Sequence, residues 1–404
     1  MKTVCIAGTF DTKGKELSYV KDIFESLGLK VFTINTGVFE SEFKVDVTNG
    51  EVVAEVGENI EDIAAKHDRA YATEILSKAM EKIVPRLYNE GKFDGIISFG
   101  GTGGTSIVTP GMRALPIGVP KIMVSTVASG NTSFYIGTSD LIMMPSVVDV
   151  AGLNRISTQI FTNAAHAMSG MLNYETEQYV SDKPLIAATM FGLTTPAVNY
   201  AREYMEARGY EVLIFHATGT GGKSMESLIN DGYIEGVLDL TTTEWCDELF
   251  GGVLNAGPNR LEAAALNKIP QVVSLGAMDM VNFGAFDTVP SKYDGRNFYK
   301  HNPSVTLMRT SVEENKLLGE KIAEKLNLAT ENTVLMIPKK GLSGIDAEGE
   351  PFYGPEENQM LFDTIKKNLN TDIVELIEMD TVINDKVFAE TAAQKLIDMI
   401  EARK

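Results

Sequence analysis

Four glycine-rich segments contain the residue types that bind phosphate or another oxygen anion. They are GTFDTKG at 8–14, FGGTGGTS at 99–106, STVASGNTSFYIGTSD at 125–140 and HATGTGGKSMESL at 216–228. Glycine lets the backbone approach a ligand closely, clustered N–H groups and helix N-termini attract oxygen anions, and a lysine adds positive charge. Each segment follows a short apolar run, which indicates a loop at the end of a buried strand.

The first three segments are predicted to form one nucleotide site. If their strands are parallel, the carboxyl ends meet at one edge of a sheet, where α/β proteins bind ligands. The second segment has four glycines, which suits a phosphate nest better than a plain connector. Asp11 can contact a ribose hydroxyl, hold a metal ion or a proton, or cap a helix. The predicted nucleotide-binding residues are Gly8, Thr9, Asp11, Thr12, Lys13, Gly100, Gly101, Thr102, Gly103, Gly104, Thr105, Ser125, Thr126, Gly130, Asn131 and Thr132.

The fourth segment nearly matches the phosphate-binding Walker A motif. Its last three positions are in place, but Ala217 occupies the position of the first glycine. Asp239 in VLDL resembles the acidic partner of such a motif, although an internal repeat explains that run better. We therefore predict a second anion site, for phosphate or carboxylate. Its residues are Thr218, Gly219, Thr220, Gly221, Gly222, Lys223, Ser224 and Arg309.

Proton transfer and metal binding have weaker signals in the sequence. None of the four histidines shows metal-ligand spacing, which argues against a zinc hydrolase. Asp11, His216 and His301 are the candidates for general acid or base catalysis. Asp11, Asp140 and Asp149 are candidate magnesium ligands, without a spacing rule that supports them.

An alternation of strands and helices is predicted to position these loops. A strand over 3–8, a helix ending at Gly28 and a strand over 29–35 form a βαβ unit, which requires a parallel sheet. The pattern then restarts, because IAATM and a helix ending at Gly209 correspond to IAGTF and the helix ending at Gly28. We expect an α/β fold of two similar doubly wound, Rossmann-like parallel-sheet domains, residues 1–181 and 182–404.

Local signals add detail to this outline. FKVDVT and EVVAEV flank Asn49-Gly50, a type I′ turn signal, and predict a β-hairpin inserted in the first domain. The next helix is expected to run from Arg69 through Tyr88 with Asp68 as its N-cap. GGTGGTS is matched by TTTEWCD in the second half, so the two domains need not bind the same ligand.

Composition excludes several classes of protein. The formal net charge of −19 over 404 residues argues against binding nucleic acid through its phosphate backbone. No run approaches the roughly 18 to 20 apolar residues of a membrane span, and the first residues lack the pattern of a secretory signal.

Cys5 and Cys246 are far apart and are expected to be reduced thiols. We expect a cytoplasmic protein, and homo-oligomer formation is compatible with its size.

Six motifs together resemble a known family. They are GTFDTKGKE, SFGGTGGT, STVASGN, DVAGLNRIS, ATGTGGKSME and HNPSVTLMRT. In this order they resemble the Tm-one-like, or tobamovirus multiplication inhibitor-like, ATP-binding domain family over almost the whole chain. The resemblance implies ATP as the ligand and a nucleotide site at Gly8, Thr9, Asp11, Thr12, Lys13 and 100–105. The plant relative has an additional C-terminal barrel; we expect a bacterial-type member without it and transfer no antiviral activity.

Two kinds of function remain open at this point. The chain can be an enzyme that binds ATP and acts on a small anionic metabolite in a cleft between the domains, with Lys223 and Arg309 holding the metabolite. It can instead be a module in which a nucleotide closes the domains around a hinge near 174–184 and changes a protein-binding surface without turnover. The sequence leaves open whether Mg²⁺ accompanies the nucleotide.

Overall fold

The computed structural model describes residues 1–173 and 181–403, and the part of the predicted hinge over 174–180 lies outside them. The chain divides into two compact units, Met1–Tyr179 and Val180–Lys404, called unit 1 and unit 2 below. Both are α/β structures built on parallel sheets, which confirms the predicted Rossmann-like fold class.

Unit 1 is a five-stranded sheet flanked by helices. In chain order its elements are β1 (Thr3–Gly8), α1 (Phe10–Ser26), β2 (Lys30–Asn35), α2 (Asn49–Ala54), α3 (Ile60–Ala65), α4 (Arg69–Asn89), β3 (Gly95–Gly100), α5 (Thr102–Arg113), β4 (Lys121–Ser125), α6 (Ser133–Ile136), β5 (Ile142–Pro145) and α7 (Arg155–Asn173). The strand order is β2-β1-β3-β4-β5, with all pairs parallel. One face packs on α1 and α7 and the other on α4 and α5, so both faces of the sheet are covered.

Unit 2 has a six-stranded parallel sheet and a smaller antiparallel one. Its elements are β6 (Leu185–Met190), α8 (Thr195–Glu206), β7 (Glu211–His216), α9 (Thr220–Asn230), β8 (Gly236–Thr241), α10 (Glu244–Phe250), α11 (Ala263–Leu266), β9 (Gln271–Gly276), β10 (Met280–Phe283), β11 (Phe298–Asn302), β12 (Val305–Arg309), α12 (Val312–Leu326), β13 (Thr333–Pro338), α13 (Pro355–Asn368), β14 (Val374–Met379) and α14 (Lys386–Glu401). The orders are β14-β13-β9-β8-β6-β7 and β10-β12-β11. The antiparallel sheet was not predicted.

The internal repeat is visible in the two parallel sheets. Read from its other edge, the larger sheet of unit 2 begins β7-β6-β8-β9, which repeats the order β2-β1-β3-β4 of unit 1. The strands paired by sequence therefore occupy matching places: β3 matches β8, and β4 matches β9. Consequently the loop after β3, GGTGGTS, matches the loop after β8, TTTEWCD, as expected.

The predicted β-hairpin in unit 1 is wrong, because the segment over 49–54 is helical. The Thr48 hydroxyl accepts a hydrogen bond from the Glu51 backbone N–H, and the Glu51 carboxylate accepts one from the Thr48 backbone N–H at 2.8 Å. This reciprocal capping box starts α2 at Asn49. Val52 and Val53 are both fully buried, which a hairpin with one face in solvent would not allow, because successive strand residues point to opposite faces.

Other local expectations are confirmed. Asp68 caps α4 by accepting from the backbone N–H groups of Ala70 and Tyr71, and the helix continues past Pro85. Cys5 and Cys246 are buried free thiols. In the described part of the chain, no helix combines the length and apolar character needed to cross a membrane.

Candidate functional site

Unit 1 contains a cavity of about 650 Å³ at the carboxyl ends of β1, β2 and β3. Nine of the predicted nucleotide-binding residues line it: Thr9, Asp11, Thr12, Lys13, Gly100, Gly101, Thr102, Gly103 and Gly104. The first and second glycine-rich segments therefore meet in one cavity. Its volume lies in the range typical of small-molecule pockets.

The N-terminus of α5 opens into this cavity without a side-chain cap. Gly101 is the N-cap residue and offers no side chain, and the first hydrogen bond of the helix joins Thr105 N–H to the Gly101 carbonyl at 3.0 Å. The backbone N–H groups of Thr102, Gly103 and Gly104 therefore have no acceptor within the helix. Together with the helix dipole, these groups form a site for an oxygen anion.

Two cationic side chains, Lys13 and Arg69, line the same cavity. A methyl group added to Gly103 would lie 3.1 Å from Nη2 of Arg69, so the guanidinium reaches the start of α5. Among the described residues, neither cation forms an ion pair with a carboxylate. The cavity lining thus holds two cations without an ion-pair partner among the described residues, together with the carboxylates of Asp11, Asp68 and Asp149.

Two polar atoms in the lining lack a hydrogen-bond partner among the described residues. They are Oδ1 of Asp11 and Oγ1 of Thr36, and Thr36 is fully buried. The other carboxylate oxygen of Asp11 accepts a hydrogen bond from Phe39 N–H at 3.1 Å. A methyl group on Gly37 would fall 2.1 Å from Asp11 Oδ1, so glycine leaves room for that carboxylate. A buried polar atom without a partner costs free energy, which a ligand hydroxyl or a bound water would recover.

Part of the cavity lining is an apolar wall. It is formed by side chains from α3, α4 and α5, with a contribution from the segment after β2: Val38, Ile63, Ala72, Leu76 and Ile107. An aromatic ring placed against this wall would bury apolar surface, at about 25 cal/mol per Å² removed from water. The cavity therefore combines an anion-binding end with an apolar wall.

The third glycine-rich segment, residues 125–140, contributes no residue to the lining of this cavity. Thr105 and Ser125 are buried and bond to each other through their hydroxyls at 2.6 Å, so they brace the base of α5 against β4. Asn131 accepts hydrogen bonds from Ser133 in a surface turn. The predicted residues outside the lining are Gly8, Thr105, Ser125, Thr126, Gly130, Asn131 and Thr132.

The three candidate magnesium ligands do not come together. Asp11 and Asp149 both line the cavity, but Asp140 lies near the amino ends of β4 and β5. There it forms an ion pair of 2.5 Å with buried Lys121, so its inclusion as a ligand is wrong. Within the described residues no cluster of three or more His, Cys, Asp or Glu side chains could hold a metal ion.

The predicted second anion site in unit 2 contains a carboxylate of the protein itself. Oε1 of Glu244 accepts hydrogen bonds from the backbone N–H groups of Gly219 and Gly222, at 2.7 and 3.1 Å. These donors lie at the start of α9. An added methyl group on Gly222 would lie 2.2 Å from the Glu244 carboxylate. The structure thus gives Glu244, and not an external anion, as the partner of these N–H groups.

Glu244 is held by a buried network centred on Arg260. The guanidinium bonds to Glu244 at 2.7 Å and to both oxygens of Asp239 at 2.5 and 2.8 Å. Burial disfavours the charged guanidinium, but Asp239 and Glu244 outweigh that effect and hold the pKa of Arg260 above its ordinary value. Asp239 is therefore a buried salt-bridge partner and not the metal-binding acid of a Walker motif.

The remaining predicted residues of unit 2 occupy separate places. Arg309 is buried, and its guanidinium donates to Asp346, Asn358 and the carbonyls of Phe352 and Gly354, so it does not clamp a substrate. Lys223 is exposed on α9. His216 ends β7 with its ring 5.7 Å from that of Phe191, and His301 is exposed on β11. Asp11, the third candidate for proton transfer, belongs to unit 1.

Sequence reasoning missed Arg69 and Glu244. The sequence did contain a signal for Glu244, because GGTGGTS in the first half is replaced by TTTEWCD at the matching loop of the second half. The helix after this loop therefore begins with acidic residues instead of glycines. Arg69 had no comparable signal, because only the fold brings the first turn of α4 beside the first turn of α5.

Both halves of the chain match known domain families. Residues 2–177 match the family described as "Uncharacterised protein family (UPF0261) N-terminal domain", and residues 183–400 match the corresponding C-terminal domain. A UPF0261 protein of Clostridium tetani is 55% identical over 99% of both chains. A UPF0261 protein of Rhizobium meliloti is 44% identical, also over 99% of both chains.

A plant relative and several solved structures are also similar. The ToMV resistance protein Tm-1(GCR237) of Solanum lycopersicum is 39% identical over 98% of this chain, which spans 56% of the tomato protein. A solved UDP-GlcNAc 2-epimerase of Methanocaldococcus jannaschii is 12% identical, covers 67% of this chain and 83% of its own, and has a TM-score of 0.21. At that TM-score the likeness adds nothing to a functional argument. On its two matching domains and its full-length relatives, the chain belongs to the UPF0261 family.

Proposed function

We propose that unit 1 binds ATP in the 650 Å³ cavity, with the phosphates on the N-terminus of α5. The observation that carries this proposal is the uncapped helix start with Lys13 and Arg69 beside it. Three N–H groups without an acceptor in the helix, and two cations that form no ion pair within the described residues, offer local positive charge to a polyphosphate, although the whole protein has a net charge of −19.

The rest of the cavity suits the nucleoside. The apolar wall offers a surface for the adenine ring, and the unpartnered oxygens of Asp11 and Thr36 suit ribose hydroxyls. The resemblance to the Tm-one-like ATP-binding family and the 39% identity to the tomato protein support a nucleotide as the ligand. Asp149 would be the residue left for a magnesium ion that accompanies the phosphates, because Asp11 is assigned to the ribose.

The proposal can be tested by titration calorimetry of the whole chain with ATP and magnesium, using Gly103→Asp. The new carboxylate would lie at the start of α5 against Arg69, where it repels phosphate but favours the helix. We expect Gly103→Asp to bind ATP about 10- to 100-fold more weakly, because one or two charge-assisted hydrogen bonds of about 1.5–3 kcal/mol each are lost.

Gly170→Asp is the matched control. Gly170 is an exposed position of α7 with open space around it, so the variant adds the same charge away from the cavity. We expect it to bind ATP like the wild type. Absence of binding by the wild-type protein, or equal binding by Gly103→Asp, would contradict the nucleotide site.

Turnover distinguishes the two forms of the proposal. An enzyme would consume ATP when offered a small anionic metabolite, whereas a nucleotide-responsive protein-binding module would bind it stoichiometrically without consuming it. Glu244 already occupies the N-terminus of α9, and Arg309 is already bonded to Asp346. These contacts argue against the hypothesis that unit 2 holds the metabolite with Lys223 and Arg309. We therefore give the binding function precedence over a named reaction.

A further inference from the structure

Arg69 lies where two hollows of unit 1 meet. The first is the 650 Å³ cavity already described, and the second is a more open groove of about 620 Å³ between α4 and α5. Arg69, Thr73, Thr102 and Gly103 line both of them. The start of α5 is therefore a boundary that a ligand can reach from the cavity and extend across.

We propose that Arg69 recognises the terminal phosphate of a nucleoside triphosphate at this boundary, which makes it the residue that distinguishes triphosphates from monophosphates. The inference rests on the proposed nucleotide site. It adds the orientation of the bound ligand, with the nucleoside in the cavity and the end of the phosphate chain at the groove.

The placement of the nucleoside depends on an observation independent of the helix N-terminus. The Thr36 hydroxyl is fully buried and has no hydrogen-bond partner among the described residues, and it belongs to the lining of the cavity but not of the groove. A ligand hydroxyl there would satisfy it. The apolar residues Ile63 and Leu76 also line only the cavity, so the uncharged part of the ligand is assigned to that side.

The two cations differ in the part of the phosphate chain that they can contact. Lys13 follows β1 and lines only the cavity, whereas Arg69 lines both hollows and approaches Gly103. Phosphates close to the nucleoside would therefore contact Lys13 and the N–H groups of α5, and the last phosphate would contact Arg69. A guanidinium can donate two parallel hydrogen bonds to one phosphate, which an ammonium group cannot match.

Arg69→Gln and Arg69→Lys test the proposal in the full chain. The ligands are adenosine, AMP, ADP and the β,γ-methylene analogue of ATP, which cannot lose its terminal phosphate by hydrolysis. For Arg69→Gln we expect the triphosphate analogue to bind about 10- to 100-fold more weakly, the size of one charge-assisted contact. Adenosine and AMP affinities should change less than threefold, and Arg69→Lys should fall between Gln and the wild type.

Lys82→Gln is the control for loss of one positive charge. Lys82 is an exposed residue of the same helix, 13 positions further on, which places it about 20 Å away along the axis. Its affinities should match those of the wild type. Retained adenosine binding by Arg69→Gln serves as the internal evidence that this variant is folded.

The outcomes separate the two proposals. If the wild type binds none of the four ligands, the nucleotide site fails and the role of Arg69 fails with it. If the wild type binds the triphosphate analogue and Arg69→Gln binds it equally well, only the role of Arg69 is overturned. A parallel loss of adenosine and triphosphate in Arg69→Gln, with Arg69→Lys behaving the same way, also overturns it.

Discussion

At the scale of single residues, Asp247 holds in place a loop that lies against the start of α9. Its carboxylate accepts hydrogen bonds from the backbone N–H groups of Asn282 and Leu254, at 2.7 and 2.8 Å. The neighbouring Asn255 carbonyl lies 2.5 Å from where a methyl group on Gly219 would be. Asp247 therefore fixes the loop that packs against the glycine turn preceding α9.

Asp247 also gives unit 2 a dependence on pH. The pKa of Asp247 is raised from 3.8 to about 7, mainly because the carboxyl group is buried. The hydrogen bonds from Asn282 and Leu254 lower this pKa, and the nearby charge of Glu244 raises it. Unfolding returns the pKa to its ordinary value, so the folded state binds the proton more tightly. The stability contributed by this group is complete below about pH 4 and is lost as the pH rises through about 7.

Asp247→Asn should remove this dependence, because an amide does not titrate. We expect the unfolding free energy of the variant, relative to the wild type, to rise by up to about 1.4 kcal/mol per pH unit between pH 5 and 7. Trp245, the only tryptophan of the chain, adjoins Asp247 in α10 and reports urea unfolding of unit 2 by fluorescence. Asp372→Asn, at an exposed position, is the control. A difference between Asp247→Asn and the wild type that does not vary with pH would contradict the prediction.

At the scale of secondary-structure elements, the two units treat a glycine-rich helix start in opposite ways. The N–H groups at the start of α9 bond to Glu244, whose charge Arg260 compensates. The start of α5 has no side-chain cap and faces a cavity whose two cations, Lys13 and Arg69, form no ion pair with a carboxylate of the described residues. The contrast favours unit 1 as the place where a soluble anion binds, because an anion at α9 would first have to displace Glu244.

The fold was predictable from the sequence where hydrophobic periodicity was strong and unambiguous. β3 and β8 are buried at every position and read as central strands of parallel sheets. The segment over 43–56 was predicted wrongly because its turn signal, Asn49-Gly50, overlaps the capping box of Thr48 and Glu51.

The candidate site was predictable only in part. Local motifs indicated the loops around α5, whereas the position of Arg69 depends on the packing of α4 against α5, which no local pattern in the sequence records.

Gly50→Ala distinguishes the observed helix from the predicted hairpin by the sign of its effect. In α2 an added methyl group would meet its nearest atoms at 3.8 and 3.9 Å, so alanine fits and should stabilise the helix by about 0.5–1 kcal/mol. In a type I′ turn the same change would be strained. We expect hydrogen exchange of peptides over 43–60 to slow about two- to fivefold. Gly57→Ala should accelerate it, because Gly57 has φ +74°. Faster exchange in Gly50→Ala would contradict the helical assignment.

At the scale of the whole molecule, the open question is whether one unit or both contact the nucleotide. Every residue that lines the 650 Å³ cavity belongs to unit 1. His216 and His301, the proton-transfer candidates of the enzyme hypothesis, belong to unit 2. A binding site confined to unit 1 favours a nucleotide-binding module, whereas direct participation of unit 2 favours catalysis in a shared cleft.

Hydrogen exchange of the full chain with and without saturating ATP and magnesium can decide between these hypotheses. Since ligand binding suppresses local opening, we expect slower exchange in peptides covering 9–13, 36–39, 63–76 and 100–107, and unchanged exchange in 216–224 and 298–302. Gly103→Asp is the control, because it should abolish the protection by ATP in unit 1 while leaving the exchange of the free protein unchanged outside α5. Protection of 216–224 or 298–302 by ATP in the wild type would contradict a site confined to unit 1, and would bring His216 or His301 back as a candidate for proton transfer.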